Sequence, residues 1–414
     1  MAPPADTAAP HPRGIDPTTA IIAAAAVVLA LSFGVRATFG IVLDPVSQTF
    51  GWPIAVFSLS IAIQNMVWGL AQPLFGLIAD RYGDRRALWL GLGCYALGMV
   101  ATVVSTTPMM QHLGAGLLVG AGVSGTAFGI VLAVVGRAVP EARRAQAMGL
   151  TAALGAFGQV TLPPLASWLT VAYGWQTTMG VMTLLLLPMA LAIPIMTPAR
   201  RGTAPAAAEP AVPLGEMLRR AVGHPSYVLL ALGFFVCGFH IAFMTVHLPT
   251  YIYDMCGSVA LGGTALAIIG GANVVGTLVA GQLGARFPKP YILSAIYALR
   301  AVVIAVFIAI PTTPLTVIVF SGIFGMLWLS TVPLTSALVA TMFGTRALAT
   351  LYGFVFLSHQ VGSFFGVYIG GRVYDAFGTY EYMWYAAIVL GVVSALVHLP
   401  VRDRAWQAPV GAPA

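Results

Sequence analysis

The chain has 414 residues, 59% of them hydrophobic and only 7% charged, with a formal net charge of +7. A soluble domain carries about 25% charged residues, so a water-facing surface is excluded, and the basic residues form no single cluster of the kind a nucleic-acid partner would need. The apolar runs reach the roughly 20 residues that cross a bilayer, and none alternates over about 10 residues as a barrel strand would. The class that remains is a polytopic helical membrane protein.

Residues 1–18 form a Pro/Ala-rich segment, "MAPPADTAAPHPRGIDP" and the next residue, predicted to be a disordered tail. The first apolar run after it is too long for the core of a cleaved signal peptide. Six spans fill 19–197, at about 19–43, 53–78, 87–106, 109–136, 147–172 and 175–197. Residues 198–225 form a linker, in which "LGEMLRR" has the amphipathic pattern of a helix lying on the membrane surface. Six more spans fill 226–400, at about 226–253, 260–283, 291–310, 314–340, 347–371 and 381–400, and 401–414 is a tail.

With the amino terminus in the cytoplasm, sixteen of the nineteen Lys and Arg residues fall in inner segments. Arg372 lies near an outer loop, and Arg36 and Arg300 lie inside spans. Cytoplasmic loops are enriched in Lys and Arg, so both termini are expected in the cytoplasm.

The two halves are related copies. "FGVRATFGIVLDP" in span one aligns with "CGFHIAFMTVHLP" in span seven, setting Gly34 over Gly238, Arg36 over His240, Phe39 over Phe243 and Pro45 over Pro249. In spans five and eleven Gly158 falls on Gly362 and Gly174 on Gly378. Paired halves are a recurrent transporter plan, with the substrate site at the midplane between them.

The loop after span two reads "GLIADRYGDRRAL", Gly76 to Leu88. It resembles the signature loop of the major facilitator superfamily, G-x-x-x-D-R-x-G followed by basic residues, in the expected place among twelve spans. The resemblance implies an all-α fold of twelve transmembrane helices in two pseudo-symmetric six-helix halves, with spans one, seven and eleven lining a central cavity. It implies that Gly76 permits close helix approach and Gly83 completes the motif. Asp80 would sit near a helix end of the opposite half, and Arg81, Arg85 and Arg86 would form a charge latch. Asp84 stands where an Arg is usual. Within the superfamily, "GVRATFGIVLDP" and "GFHIAFMTVHLPTY" look like bacterial relatives of the monocarboxylate transporters. "RRAQAMGLTAALG" loosely resembles that group's span-five signature in Arg144, Ala147 and Gly149. The span-eight Asp and Arg of animal members are replaced by a region holding Asn273 and Thr277.

The polar residues then suggest a chemistry. None of the twelve acids lies at mid-membrane, yet Arg36, Arg300, His240, His247 and His359 are inside spans. An arginine stays protonated, and its planar fork binds a carboxylate through two parallel hydrogen bonds. Arg36 is therefore the expected receptor for an organic anion. Reaching for the surface, or for carbonyls of span seven, is the alternative. Arg36 lies about seven residues, roughly 10 Å, from the end of its predicted span. By its repeat relation to Arg36, His240 would face it across the cavity. His240 and His247 share a helix face and are candidates for substrate contact and proton coupling, since histidine titrates near physiological pH. A neutral histidine bonded within the bundle is the plainer reading. His359 with Gln360 could bind substrate or close a gate. Arg300 is a candidate ligand contact or a partner for backbone carbonyls. Gln64, Asn65 and Gln159 are further polar contacts, more often used as helix glue.

No phosphate-binding loop, metal-ligand spacing or catalytic constellation is present in the sequence, and Cys94, Cys237 and Cys256 are scattered. No cofactor, metal, catalytic residue or nucleic-acid partner is expected, and the chain is expected to be a monomer in the bilayer. The expected function is secondary active transport of a small organic anion, a monocarboxylate, by proton symport and alternating access. Proton-coupled export of a hydrophobic or drug-like compound and ligand binding without transport remain the alternatives.

Overall fold

The computed structural model describes residues 16–198 and 214–404. Most of the predicted amino-terminal tail, the central part of the linker and most of the carboxy-terminal tail lie outside the described residues. Among the described residues all regular structure is helical.

Ten helices are long and apolar enough to cross a membrane. The membrane helices are α1 (Pro17–Phe50), α2 (Ile54–Tyr82), α3 (Asp84–Val103) and α4 (Pro108–Ala138). The run Gln146–Met196 is 51 residues long and turns back at Gly174, whose φ of 83° only glycine adopts without strain. It therefore makes two crossings, α5 (141–173) and α6 (175–196). The second half comprises α7 (Pro225–Cys256), α8 (Val259–Gly284), α9 (Lys289–Ala309), α10 (Pro314–Phe343), α11 (Thr345–Phe377) and α12 (Glu381–His398). The twelve predicted crossings are all present.

The helices outrun the predicted spans at the end of the bundle opposite the linker. Counting apolar residues stops span one near Asp44, but the backbone stays helical to Phe50 and ends on Gly51 in the left-handed conformation. Helix formation continues past the hydrocarbon edge because the backbone hydrogen bonds persist there. Arg36 thus lies fourteen residues before the end of α1, about 21 Å of rise.

The repeat sets the helix crossings. A Cβ on Gly158 of α5 would stand 1.8 Å from the Ala30 carbonyl oxygen of α1, and one on Gly362 of α11 would stand 1.9 Å from that of Phe235 in α7. Aligned glycines therefore make the same backbone contact in each half, the small-residue packing that lets membrane helices approach closely. The repeat extends to interruptions. α4 breaks at Ala127, which is extended, and α10 breaks over residues 327–330.

The halves meet along α2–α11 and α5–α8, most closely at the end away from the linker. A Cβ on Gly40 would lie 2.2 Å from the Thr245 carbonyl, one on Gly263 2.2 Å from Ser167 Oγ, and one on Gly371 2.5 Å from Ser58 Oγ. Near mid-height Gly69 faces Gln360 and Gly270 faces Gln159 more loosely. At the linker end Gly76 and Gly83 have nothing within 4 Å. The predicted surface helix is present as Leu214–Val222. Its Arg220 pairs with Glu216 at 2.7 Å, which holds that carboxyl below its usual value.

Candidate functional site

Arg36 sits in the last turn before a one-residue irregularity at Thr38 in α1. Its Nη2 donates a short hydrogen bond to Asn65 Oδ1 of α2, and its guanidinium lies 4.9 Å from the centroid of the Trp68 ring. Nε is buried without a partner. The ion pairs among the described residues join Arg137 to Asp84, Arg219 and Arg220 to Glu216, and Lys289 to Asp403. Among these residues Arg36 meets no carboxylate. The side chain is held toward α2 by an amide and an indole, rather than turned to the surface or to span seven.

From Asn65 a chain of hydrogen bonds crosses between the halves. Gln360 Nε2 of α11 donates to the Asn65 carbonyl at 3.1 Å, and Gln360 Oε1 lies 3.0 Å from His359 Nδ1. The His359 ring stacks on Phe356, centroids 5.7 Å apart. Arg36, His359 and Gln360 are thus brought into one network, with Asn65 as the link. Asn65 and Trp68 are three residues apart, on one face of α2. Trp68 was not selected by the sequence reading; its mid-span position was the available signal.

His240 is placed differently from expectation. It does not face Arg36. It is fully buried, with Nε2 2.8 Å from the Ala387 carbonyl of α12. Nε2 must donate to that carbonyl, which leaves Nδ1 as an acceptor, and Nδ1 has no partner. The repeat aligns backbone positions, but on the copy the shorter imidazole is drawn to the carbonyl beside it. His247 is fully buried too, 3.0 Å from Tyr380 Oη and 2.8 Å from the Val367 carbonyl. Both of its ring nitrogens are engaged.

Arg300 is fully buried in α9 and serves the break in α10. Its Nε and Nη2 donate to the Leu327 carbonyl at 3.1 and 2.5 Å, and Nη2 also donates to the Trp328 carbonyl. Nη1 has no partner. Asn273 Oδ1 accepts from the Leu329 amide at 3.0 Å. A cation thus sits on the freed carbonyls at the end of a helix, where the helix dipole favours it. This is the carbonyl-bonding arrangement of the two weighed for Arg300.

The expected latch is not assembled. Asp80, Arg81, Arg85 and Arg86 are exposed, and Asp80 has no ion pair among the described residues. The close approach expected at Gly76 is not made. Asp84 instead pairs within its own half, 2.5 Å from Arg137. At the opposite end the halves are clasped by Asp375 of α11, whose two oxygens accept the Ile54 and Ala55 amides of α2 at 2.8 Å each. A depression of about 500 Å3 opens at that end among α1, α5, α7 and α8. It is lined by Asp44, Gln48 and Trp175, and its floor at Gly40 is about one helical turn from Arg36.

Two repeated six-helix halves closed at one end, with a polar network between them at mid-height, define a membrane transporter rather than an enzyme. The chain belongs to the Major Facilitator Superfamily, whose family model matches residues 25–357 and again 258–413. It is similar to monocarboxylate transporter 13 of Bos taurus, 24% identical over 388 residues, covering 93% of this chain and 89% of that protein. It is equally similar to the uncharacterised MFS-type transporter YcxA of Bacillus subtilis, 24% identical over 384 residues, covering 89% of this chain and 91% of that protein. In fold it resembles a bacterial homologue of the human lysosomal transporter Spinster in an inward-facing, unoccupied conformation. The TM-score is 0.74 at 16% identity, over 95% of this chain and 99% of that one.

Proposed function

We propose that this transporter carries a small organic anion, a monocarboxylate, by proton symport and alternating access in a bacterial inner membrane, with both termini and the linker in the cytoplasm. The observation that carries the reading is Arg36. It is a fixed positive charge inside a membrane helix, with an unpaired Nε and, among the described residues, no carboxylate against it. An uncompensated charge at that depth is expensive, and a carboxylate brought by cargo would compensate it. The similarity to a monocarboxylate transporter supports the same class of cargo, and the distribution of basic residues supports the orientation.

For proton coupling, His240 is the candidate among the in-span histidines, because Nδ1 is free to take a proton. His359 and Gln360 contribute to the contact that reports an occupied site from one half to the other.

The test is uptake into proteoliposomes under an imposed inward proton gradient, comparing labelled monocarboxylates, dicarboxylates and neutral analogues. Monocarboxylates are expected to accumulate, and Arg36→Gln to abolish uptake while the purified protein melts as before. Normal uptake by that variant would remove Arg36 from the site.

A further inference from the structure

The network around Arg36 leaves its polar atoms unequally satisfied. Asn65 Oδ1 accepts from Arg36, Asn65 Nδ2 donates to the Ile61 carbonyl, and Gln360 and His359 bond one another. The polar atoms left buried and unpaired in this cluster are two donors, Arg36 Nε and Trp68 Nε1. Trp68 is only 7% exposed, so its N–H has no recourse to bulk water. A buried donor without a partner is costly, and two together ask for an acceptor such as a carboxylate oxygen.

Aromatic rings pack against this cluster. Phe33 of α1 lies 5.8 Å from Trp68 between ring centroids, Phe128 of α4 lies 4.7 Å from Phe33, and Phe356 of α11 meets Trp68 edge-on at 5.2 Å. Phe128 follows directly on the break of α4 at Ala127 and keeps 36% of its surface exposed. The rings come from both halves, so a flat body lodged among them would touch both.

We propose that the cargo is a carboxylate carrying an aromatic ring, rather than a short 2-hydroxy acid. This rests on the reading of Arg36 as the carboxylate receptor and adds the shape and polarity of the rest of the molecule. The carboxylate takes the guanidinium and the Trp68 N–H. The ring body packs beside Phe33, Phe128 and Phe356, where offset or edge-to-face contacts are favoured.

The experiment uses the full chain in proteoliposomes with 3-phenylpropanoate and lactate as probes, each also run as a competitor of the other. The half-saturating concentration of 3-phenylpropanoate is expected to be at least about tenfold below that of lactate, since one ring contact contributes roughly two- to tenfold. Phe128→Ala should shrink that ratio by about two- to tenfold, with Phe128→Leu as the milder variant should Ala perturb folding. Trp68→Phe, which keeps a ring and removes the N–H, should weaken 3-phenylpropanoate by about fivefold. If lactate is handled as well as 3-phenylpropanoate and both depend on Arg36, the aromatic inference is overturned and the anion reading stands. If neither acid is bound or moved by the folded protein, or both are moved equally by Arg36→Gln, the anion reading falls and this inference with it.

Discussion

The carboxylate of Asp375, near the end of α11, accepts the backbone amide of Ile54 at the start of α2, and its second oxygen accepts that of Ala55, each at 2.8 Å. The first amides of any helix have no partner within it. Here Pro53 at the cap position offers none, and the partner comes from the other half of the protein, 321 residues away in sequence. The contact joins the halves at the end where they are most tightly closed. Asp375→Ala should therefore loosen that end. A cysteine placed at Ser58, which is buried against the Gly371 backbone position, should react faster with a membrane-impermeant thiol reagent. Charge-assisted hydrogen bonds contribute about 1.5–3 kcal/mol each, so the rate should rise by roughly tenfold or more. An unchanged rate, with Cys94, Cys237 and Cys256 removed, would mean that Asp375 only trims a helix end.

At Arg36 the geometry of the fork matters as well as the charge. Arg36→Lys keeps the charge but replaces a planar donor set with a single point. We expect the half-saturating concentration for a transported monocarboxylate to rise about tenfold to a hundredfold, with little change in melting temperature, since Asn65 still meets a cationic donor. A variant as good as the native protein would show that only charge is sensed.

Arg300 predicts the opposite pattern. It bonds the Leu327 and Trp328 carbonyls at the break in α10. Arg300→Gln should lower the melting temperature of the purified protein by several degrees, at a cost of about 2–3 kcal/mol for the lost charged hydrogen bonds. The folded fraction should bind cargo with a near-native half-saturation. Loss of binding without loss of stability would assign Arg300 to the ligand.

The two histidines of α7 should separate in transport assays. His240 has a free Nδ1, whereas both nitrogens of His247 are occupied by Tyr380 and the Val367 carbonyl. His240→Ala should abolish accumulation driven by a proton gradient while sparing exchange of cargo across the membrane. His247→Gln, which can keep polar contacts, should still accumulate cargo. Equal loss of accumulation and exchange in His240→Ala would make it a binding residue and not a proton carrier.

Much of this was legible in one dimension. Segments of about 20 apolar residues must become helices in a bilayer because every backbone polar group there needs an internal partner, so the apolar runs pointed to the crossings. The alignment of Gly34 with Gly238 and Gly158 with Gly362 marked positions where backbones touch, since a side chain there would strike a carbonyl oxygen. The absence of acids from the span interiors marked Arg36 and Arg300 by charge alone.

Direction is what the tertiary structure decided. Arg36 and His240 occupy matching places in the repeat, yet one turns to Asn65 and Trp68 and the other to Ala387. A side chain points toward the partner that satisfies it, and the partner belongs to a different helix, chosen by packing. For the same reason Arg300 could be read as a ligand until the carbonyls freed by the α10 break were seen beside it. Composition determines that a charge is buried; only the arrangement of neighbouring helices determines which groups answer it.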